Sequence, residues 1–163
     1  MVISLSTEEQ LARLRRQIPS WMGVVVKAVT ERYGDESRQL ICDALYQQGQ
    51  AMGKRAFAEK LRQKPEWNAQ DVLDEWQTMF VAAGYSENDI EITEQSPKRV
   101  VFRVHRCPLA ERWRVLQAPP FMCEIWGCHA LGLFRCLNPR FNYTALTSIH
   151  RGDEYCQEVW EIE

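Results

Sequence analysis

Val100-Val101-Phe102-Arg103-Val104-His105-Arg106-Cys107-Pro108 is the stretch that decides the fold. Along it Val100, Phe102 and Val104 alternate with Val101, Arg103 and His105, which is the two-residue period of a strand with one side turned to a core. Cys107-Pro108 ends the alternation, because proline offers no N–H to a ladder and fits the first turn of a helix. Upstream, Ile90 and Ile92 alternate with acids and Ser96-Pro97-Lys98 makes a turn. The quoted strand is therefore the second arm of an antiparallel hairpin.

Ahead of this hairpin the period is helical. Ser6 with Glu9 three residues on is a capping box, and Leu11 and Leu14 share one side of the helix it opens. Pro19 starts a second short helix carrying Trp21, Val24 and Val25 toward a core, and Gly34 stops it. Asp35 is placed to cap a long helix over Ser37 to Gln63, with Leu40, Ile41, Ala44, Leu45, Met52, Phe57 and Leu61 at helical spacing. Gly49 and Gly53 interrupt it at i,i+4, where each costs about 1 kcal/mol relative to alanine if exposed. Close packing of another element on that small-residue face is one explanation, and a kink or the approach of a ligand is the other. Asn68 caps a further helix with Val72, Leu73, Trp76, Met79 and Phe80 inward, closed by Gly84.

Beyond the hairpin, Pro108 opens a short helix, and Pro119-Pro120 opens an apolar one running from Phe121 to Cys136, ended by Asn138-Pro139. Two strands, Phe141 to Ile149 and Tyr155 to Ile162, flank an Arg151-Gly152-Asp153 turn, whose likeness to an adhesion tripeptide is only turn chemistry. The expectation is α+β: one domain over residues 1–163, with N-terminal helices packed on an antiparallel sheet of about four strands and a Cys-rich helix between two β-hairpins.

The 163 residues carry a net charge of −2, with 45% hydrophobic and 26% charged residues. That is a soluble globular composition with no electrostatic reason to bind nucleic acid or an anionic membrane. The N-terminus has neither a basic segment nor a long apolar run, and no stretch approaches the roughly 20 apolar residues of a membrane span. A cytoplasmic protein is expected, its six cysteines mostly thiols. A small molecule is the expected partner, and a homodimer is one assembly open to such a chain.

Five cysteines, Cys107, Cys123, Cys128, Cys136 and Cys156, follow the first hairpin, with His105, His129 and His150 among them. Zinc signatures pair ligands on short loops, whereas Cys123 and Cys128 lie five positions apart on a helix, a rotation of about 500° that points them different ways. Neither a structural metal nor another cofactor is expected. Cys107 precedes a helix whose dipole lowers a thiol pKa, which favours a nucleophile; a plain cap or core cysteine is the blander reading. Arg103, Arg106 and Arg112 suit either a bidentate clamp on a carboxylate or a solvated face.

The order Cys107-Pro108-x-Ala110-Glu111, a Cys-bearing apolar helix, Asn138-Pro139 and Gly152-Asp153-x-x-Cys156 resembles the family named for L-2-amino-thiazoline-4-carboxylic acid hydrolase. Gly34-Asp35-Glu36 leading into the helix with Gly49 looks like that family's N-terminal half. The last hairpin is also similar to small-molecule-binding domains named for 4-vinyl reductase, some of which hold zinc through cysteines and a glutamate. Cys156 matches their terminal cysteine, and Ser148 stands where another zinc cysteine is expected.

The resemblance implies a hydrolase that opens a small ring containing nitrogen and sulfur, such as 2-amino-thiazoline-4-carboxylate, toward N-carbamoyl-cysteine. It then gives Cys107 the nucleophile's role, His105 or His129 that of acid and base, and Arg103 or Arg106 that of carboxylate clamp, with Trp126, Cys128 and Cys156 on the substrate side. The alternative is a non-catalytic 4-vinyl reductase-like protein holding an apolar or aromatic ligand beside Phe121, Met122, Trp126 and Phe134.

Overall fold

The computed structural model describes residues 6–163. Met1 to Leu5, and with them much of the reading of the N-terminus as lacking a leader, lie outside the described residues. Helix α1 spans Thr7–Tyr33 and opens on the reciprocal Ser6–Glu9 capping box. Two short helices were expected here, but the chain runs as one helix through Pro19. Proline in a helix interior forfeits one backbone bond. At this position its burial against the later helix α5 (Pro108–Val115) offsets that loss, and its carbonyl accepts the Trp113 indole N–H at 3.1 Å. The buried side of α1 is Pro19, Gly23 and Val26, so Trp21 and Val25 face away from the core, 70% and 60% exposed.

The expected long second helix is two pieces, α2 (Glu36–Ala56) and α3 (Ala58–Gln63), hinged at Phe57. Phe57 leaves helical geometry at φ −102°, ψ 3°, and its side chain is buried. Asp35 precedes α2 without a side-chain cap. Helix α4 (Ala69–Ala83) has the Asn68 cap, reciprocated by Asp71, and ends on left-handed Gly84 at φ 97°.

Strands β1 (Ile90–Gln95), β2 (Arg99–Val104), β3 (Phe141–Thr147) and β4 (Cys156–Ile162) form one antiparallel sheet in the order β1-β2-β4-β3. Helices α5 and α6 (Met122–Phe134) lie between the two hairpins. This is the α+β architecture that the change of period at Ile90 implies. The register sets Val104 opposite Cys156, Phe102 opposite Glu158 and Val100 opposite Trp160, with Ala145 on the other side of Glu158. The inward positions form an aromatic core in which Trp160 touches Trp76, Phe102, Phe134 and Phe141 at ring separations of 4.7–5.5 Å. Helices α4 and α6 cover this face, α2 packs on the far side of α6, and α1 rests on α5 and α2.

The α2–α6 contact holds the exception to the expectation that the cysteines are mostly thiols, four of the six being free. Cys42 and Cys128 form a disulfide across it, with their Cα atoms 5.4 Å apart, so these two are not thiols. The helices come this close because glycines face them: a Cβ on Gly49 would sit 2.3 Å from the His129 carbonyl oxygen, and one on Gly132 would sit 2.1 Å from that of Tyr46. Among the described residues no helix is long and apolar enough to cross a membrane.

Candidate functional site

A small cavity lies between the inner face of the sheet and the helices. Its walls are Trp76 and Phe80 of α4, Leu109 and Trp113 of α5, Cys123 and Trp126 of α6, and Val104, Tyr143, Ala145, Thr147, Cys156 and Glu158 of the strands, with Tyr85 and Cys107 from the connections. The space enclosed is about 30 Å³, room for one or two water molecules. A ring compound enters only if side chains move. Phe80 and Tyr85, packed edge to face at 4.3 Å, also line a groove on the outside with Val81, Ile90 and Ile92. These two rings line both spaces.

Glu158 is the carboxyl group of this cavity. Strand alternation puts it between Cys156 and Trp160 on the inward side, where it is half-buried and lines the cavity. Burial, reinforced by neighbouring Cys156, pushes its carboxyl up to about 8, and it is therefore largely protonated at neutral pH. No lysine, arginine or histidine is among the lining side chains. An acid that holds its proton near neutral pH thus faces a small aromatic cavity with no cation among its lining residues.

Three thiols share the cavity, and their surroundings separate them. Cys107 caps α5 through its sulfur, which accepts the Ala110 N–H at 3.4 Å, and the Tyr85 hydroxyl lies 3.1 Å from the same atom. The helix entry was expected to lower this thiol's pKa; burial instead pushes it up to about 11, outweighing those hydrogen bonds. Cys123 sits in the first turn of α6, and its sulfur accepts the hydroxyl proton of fully buried Ser148 at 3.0 Å. Cys156 also hydrogen-bonds to Cys123, and the two partners draw the Cys123 thiol below the ordinary range despite burial. Cys156, which gives up a proton to that bond, is pushed far above it.

The structure brings Cys107, Trp126 and Cys156 of the sequence-derived candidates to the cavity and leaves the others outside. His105 lies on the exposed side, its Nε2 2.9 Å from Glu91 Oε2. Arg103 stacks over Tyr155 at 4.7 Å and pairs loosely with Glu91, and Arg106 meets Asp89 and Glu111. His129 stacks on Trp126 with its backbone against Gly49, and burial lowers its pKa. Cys128 is held in the disulfide. Sequence reasoning missed Glu158, Tyr85, Tyr143 and the hydrogen bonds to Cys123. The signal for Glu158 was present, since Cys156, Glu158, Trp160 and Ile162 are alternate residues of one strand and one of them is an acid.

With this geometry in view, comparisons with known proteins place the chain. Curated protein sequences give no match. Among solved structures it is similar to the phenol-responsive sensory domain of the transcription activator PoxR with phenol, at 14% identity and a TM-score of 0.64, covering 98% of this chain and 92% of that one. It is also similar to trafficking protein particle complex subunit 3 from Naegleria fowleri covalently bound to palmitic acid, at 14% identity and a TM-score of 0.56, covering 93% and 96%. At such identity the likeness concerns the fold. The family model for L-2-amino-thiazoline-4-carboxylic acid hydrolase matches residues 15–160, nearly the whole chain, and the protein belongs to that family.

Proposed function

We propose that this protein takes a small nitrogen- and sulfur-containing ring into the cavity and hydrolyses it with ring opening, and that it prefers uncharged or cationic rings. One observation carries the reading: three thiols and a proton-holding carboxyl converge on a single aromatic enclosure. Aromatic walls hold a flat ring, a thiol suits attack on an amidine-like carbon, and a neutral carboxyl suits protonation of the departing sulfur. Family membership supports the reaction class.

The charge preference follows from the lining. A substrate carboxylate needs a cation or several N–H donors once it leaves water, and this cavity lines the site with Glu158 instead. A cationic amidinium meets the opposite situation, because it pairs with Glu158 and hands it a proton, which leaves an uncharged ring beside a protonated carboxyl. The ring class is thus that of 2-amino-thiazoline-4-carboxylate, with the carboxylate itself disfavoured inside.

The second reading, a non-catalytic holder of an aromatic molecule, is favoured by the Trp, Phe and Tyr walls and by the likeness to a domain solved with phenol. One experiment separates the two. Thermal shift and thiol release are followed with 2-aminothiazoline, its 4-carboxylate and phenol. Ring opening predicts free thiol from 2-aminothiazoline, faster than from the carboxylate. A rise in Tm with phenol, and no thiol from either ring, would leave the binding protein standing and remove the hydrolase.

A further inference from the structure

We infer that Cys123 is the attacking thiol of this cavity, with Ser148 and Cys156 positioning its sulfur and Glu158 passing the proton to the leaving atom. The inference rests on the hydrolase reading above and departs from Cys107, the cysteine that the family-like Cys-Pro motif singles out.

The cavity offers three thiols, and their hydrogen bonds and burial together rank them. Around Cys123 the donors converge: the Ser148 hydroxyl at 3.0 Å, the Cys156 thiol beside it, and the opening turn of the 13-residue α6. Ser148 is itself held, because it is fully buried and its N–H donates to Asp153 Oδ2 at 2.6 Å. Cys156 is held as well, its sulfur accepting the Ile149 N–H at 3.3 Å. The 3-10 turn at Ile149–Arg151 thus ties both donors to one short segment. Cys107 is held by a comparable set, the Tyr85 hydroxyl and the Ala110 and Leu109 N–H groups, but it is buried where Cys123 is half-exposed, and that burial outweighs them. One thiol is drawn toward thiolate while Glu158 is kept protonated, and two groups driven apart in this way mark a base-like nucleophile and an acid.

The chemistry balances with these groups alone. The Cys123 thiolate adds to the ring carbon that bears both nitrogen and sulfur, forming a new carbon–sulfur bond. The ring carbon–sulfur bond then breaks, its electron pair goes to the ring sulfur, and that sulfur takes the proton of Glu158. An isothiourea remains on Cys123. Water adds to the same carbon; one of its protons ends on the former ring nitrogen, the other returns to Glu158, and Cys123 leaves as thiolate. One water is consumed and nothing is oxidised or reduced.

The first readout requires no substrate at all. Thiolate absorbance is titrated from pH 5 to 10, and iodoacetamide-labelled peptides are mapped at each pH, for the intact protein and for Cys123→Ser, Ser148→Ala and Cys107→Ser. The inference expects the lowest-pH thiolate step, and the first labelled peptide, to belong to Cys123. Cys123→Ser should abolish that step, Ser148→Ala should move it up by about one pH unit, and Cys107→Ser should leave it in place. Ring opening of 2-aminothiazoline should fall at least about 1,000-fold in Cys123→Ser while the ligand-induced rise in Tm survives. A first step that belongs to Cys107 or Cys136, or labelling that never reaches Cys123, overturns the inference whether or not any ring is opened. Thiol release that is absent from the intact protein overturns the hydrolase reading instead. Retained release in Cys123→Ser overturns only the assignment made here.

Discussion

Glu158 shows what a single residue costs when it serves a site. In the unfolded chain its carboxyl titrates near 4.5, and in the fold it is pushed up to about 8. Below pH 4.5 both states are protonated and the residue is neutral to stability. As pH rises past 4.5 the unfolded state releases its proton while the folded state keeps one, so stability falls until the folded group also ionises near pH 8. The full penalty is on the order of 5 kcal/mol. Glu158→Gln keeps the shape and removes the titration. Denaturant midpoints from pH 4 to 9 should therefore show the variant gaining on the parent steadily between about 4.5 and 8 and then holding a constant lead. Parallel curves would mean that the carboxyl is not desolvated and that the acid role given to it is mistaken. The sequence displayed this residue in plain alternation with Cys156 and Trp160. What it could not display is that the strand's inward side meets a gap instead of a packed helix, because the aromatic residues that wall a cavity are the same ones that fill a core.

At the scale of elements, the contact between α2 and α6 was half legible. Gly49 and Gly53 stood out because glycine is unfavourable in a helix interior, and close packing was one physical explanation available. Their partner could not be read, since what faces Gly49 is the carbonyl of His129, and which backbone a helix meets is a tertiary fact. The Cys42–Cys128 disulfide stayed hidden for the same reason, its two residues being 86 positions apart. Propensity and packing make opposite predictions here. Helix propensity alone says that Gly49→Ala and Gly132→Ala stabilise by about 1 kcal/mol. The added methyl groups, however, would lie 2.3 and 2.1 Å from carbonyl oxygens, and backbone cannot swing aside as a side chain can. The helices would have to separate against the disulfide that joins them. Each variant is expected to lose about 2–3 kcal/mol in urea unfolding, and a gain in either would show that the helices sit farther apart than described.

Over the whole molecule, the fold class and the order of elements were readable from periodicity, yet which faces end up inside was not, and the tryptophans show why. Trp21 lies on α1 among apolar residues and reads as core, whereas Trp113 lies between arginines on a short helix where nothing in its neighbours marks a face. In the structure Trp21 is 70% exposed and Trp113 1%. The reason is that α1 runs unbroken through Pro19, which commits its narrow Pro19–Gly23–Val26 side to α5 and turns the Trp21 side outward. Gly23 leaves room for the Trp113 ring, since a Cβ there would lie 3.2 Å from it, and the Pro19 carbonyl takes the indole proton. Trp113 therefore joins three parts at once: it anchors α1, packs edge to face on His150 beside the last turn, and closes the cavity. Trp113→Ala should cost about 3–5 kcal/mol, the usual range for emptying a buried aromatic site, and should open the cavity to solvent, so that Cys123 and Cys156 label faster at a fixed pH. Trp21→Ala should change stability by no more than about 0.5 kcal/mol and leave labelling untouched. Urea midpoints with iodoacetamide rates on both variants decide the matter, and a Trp21→Ala loss comparable to that of Trp113→Ala would mean that the exposed side of α1 is covered in solution and the packing of this helix has been assigned the wrong way round.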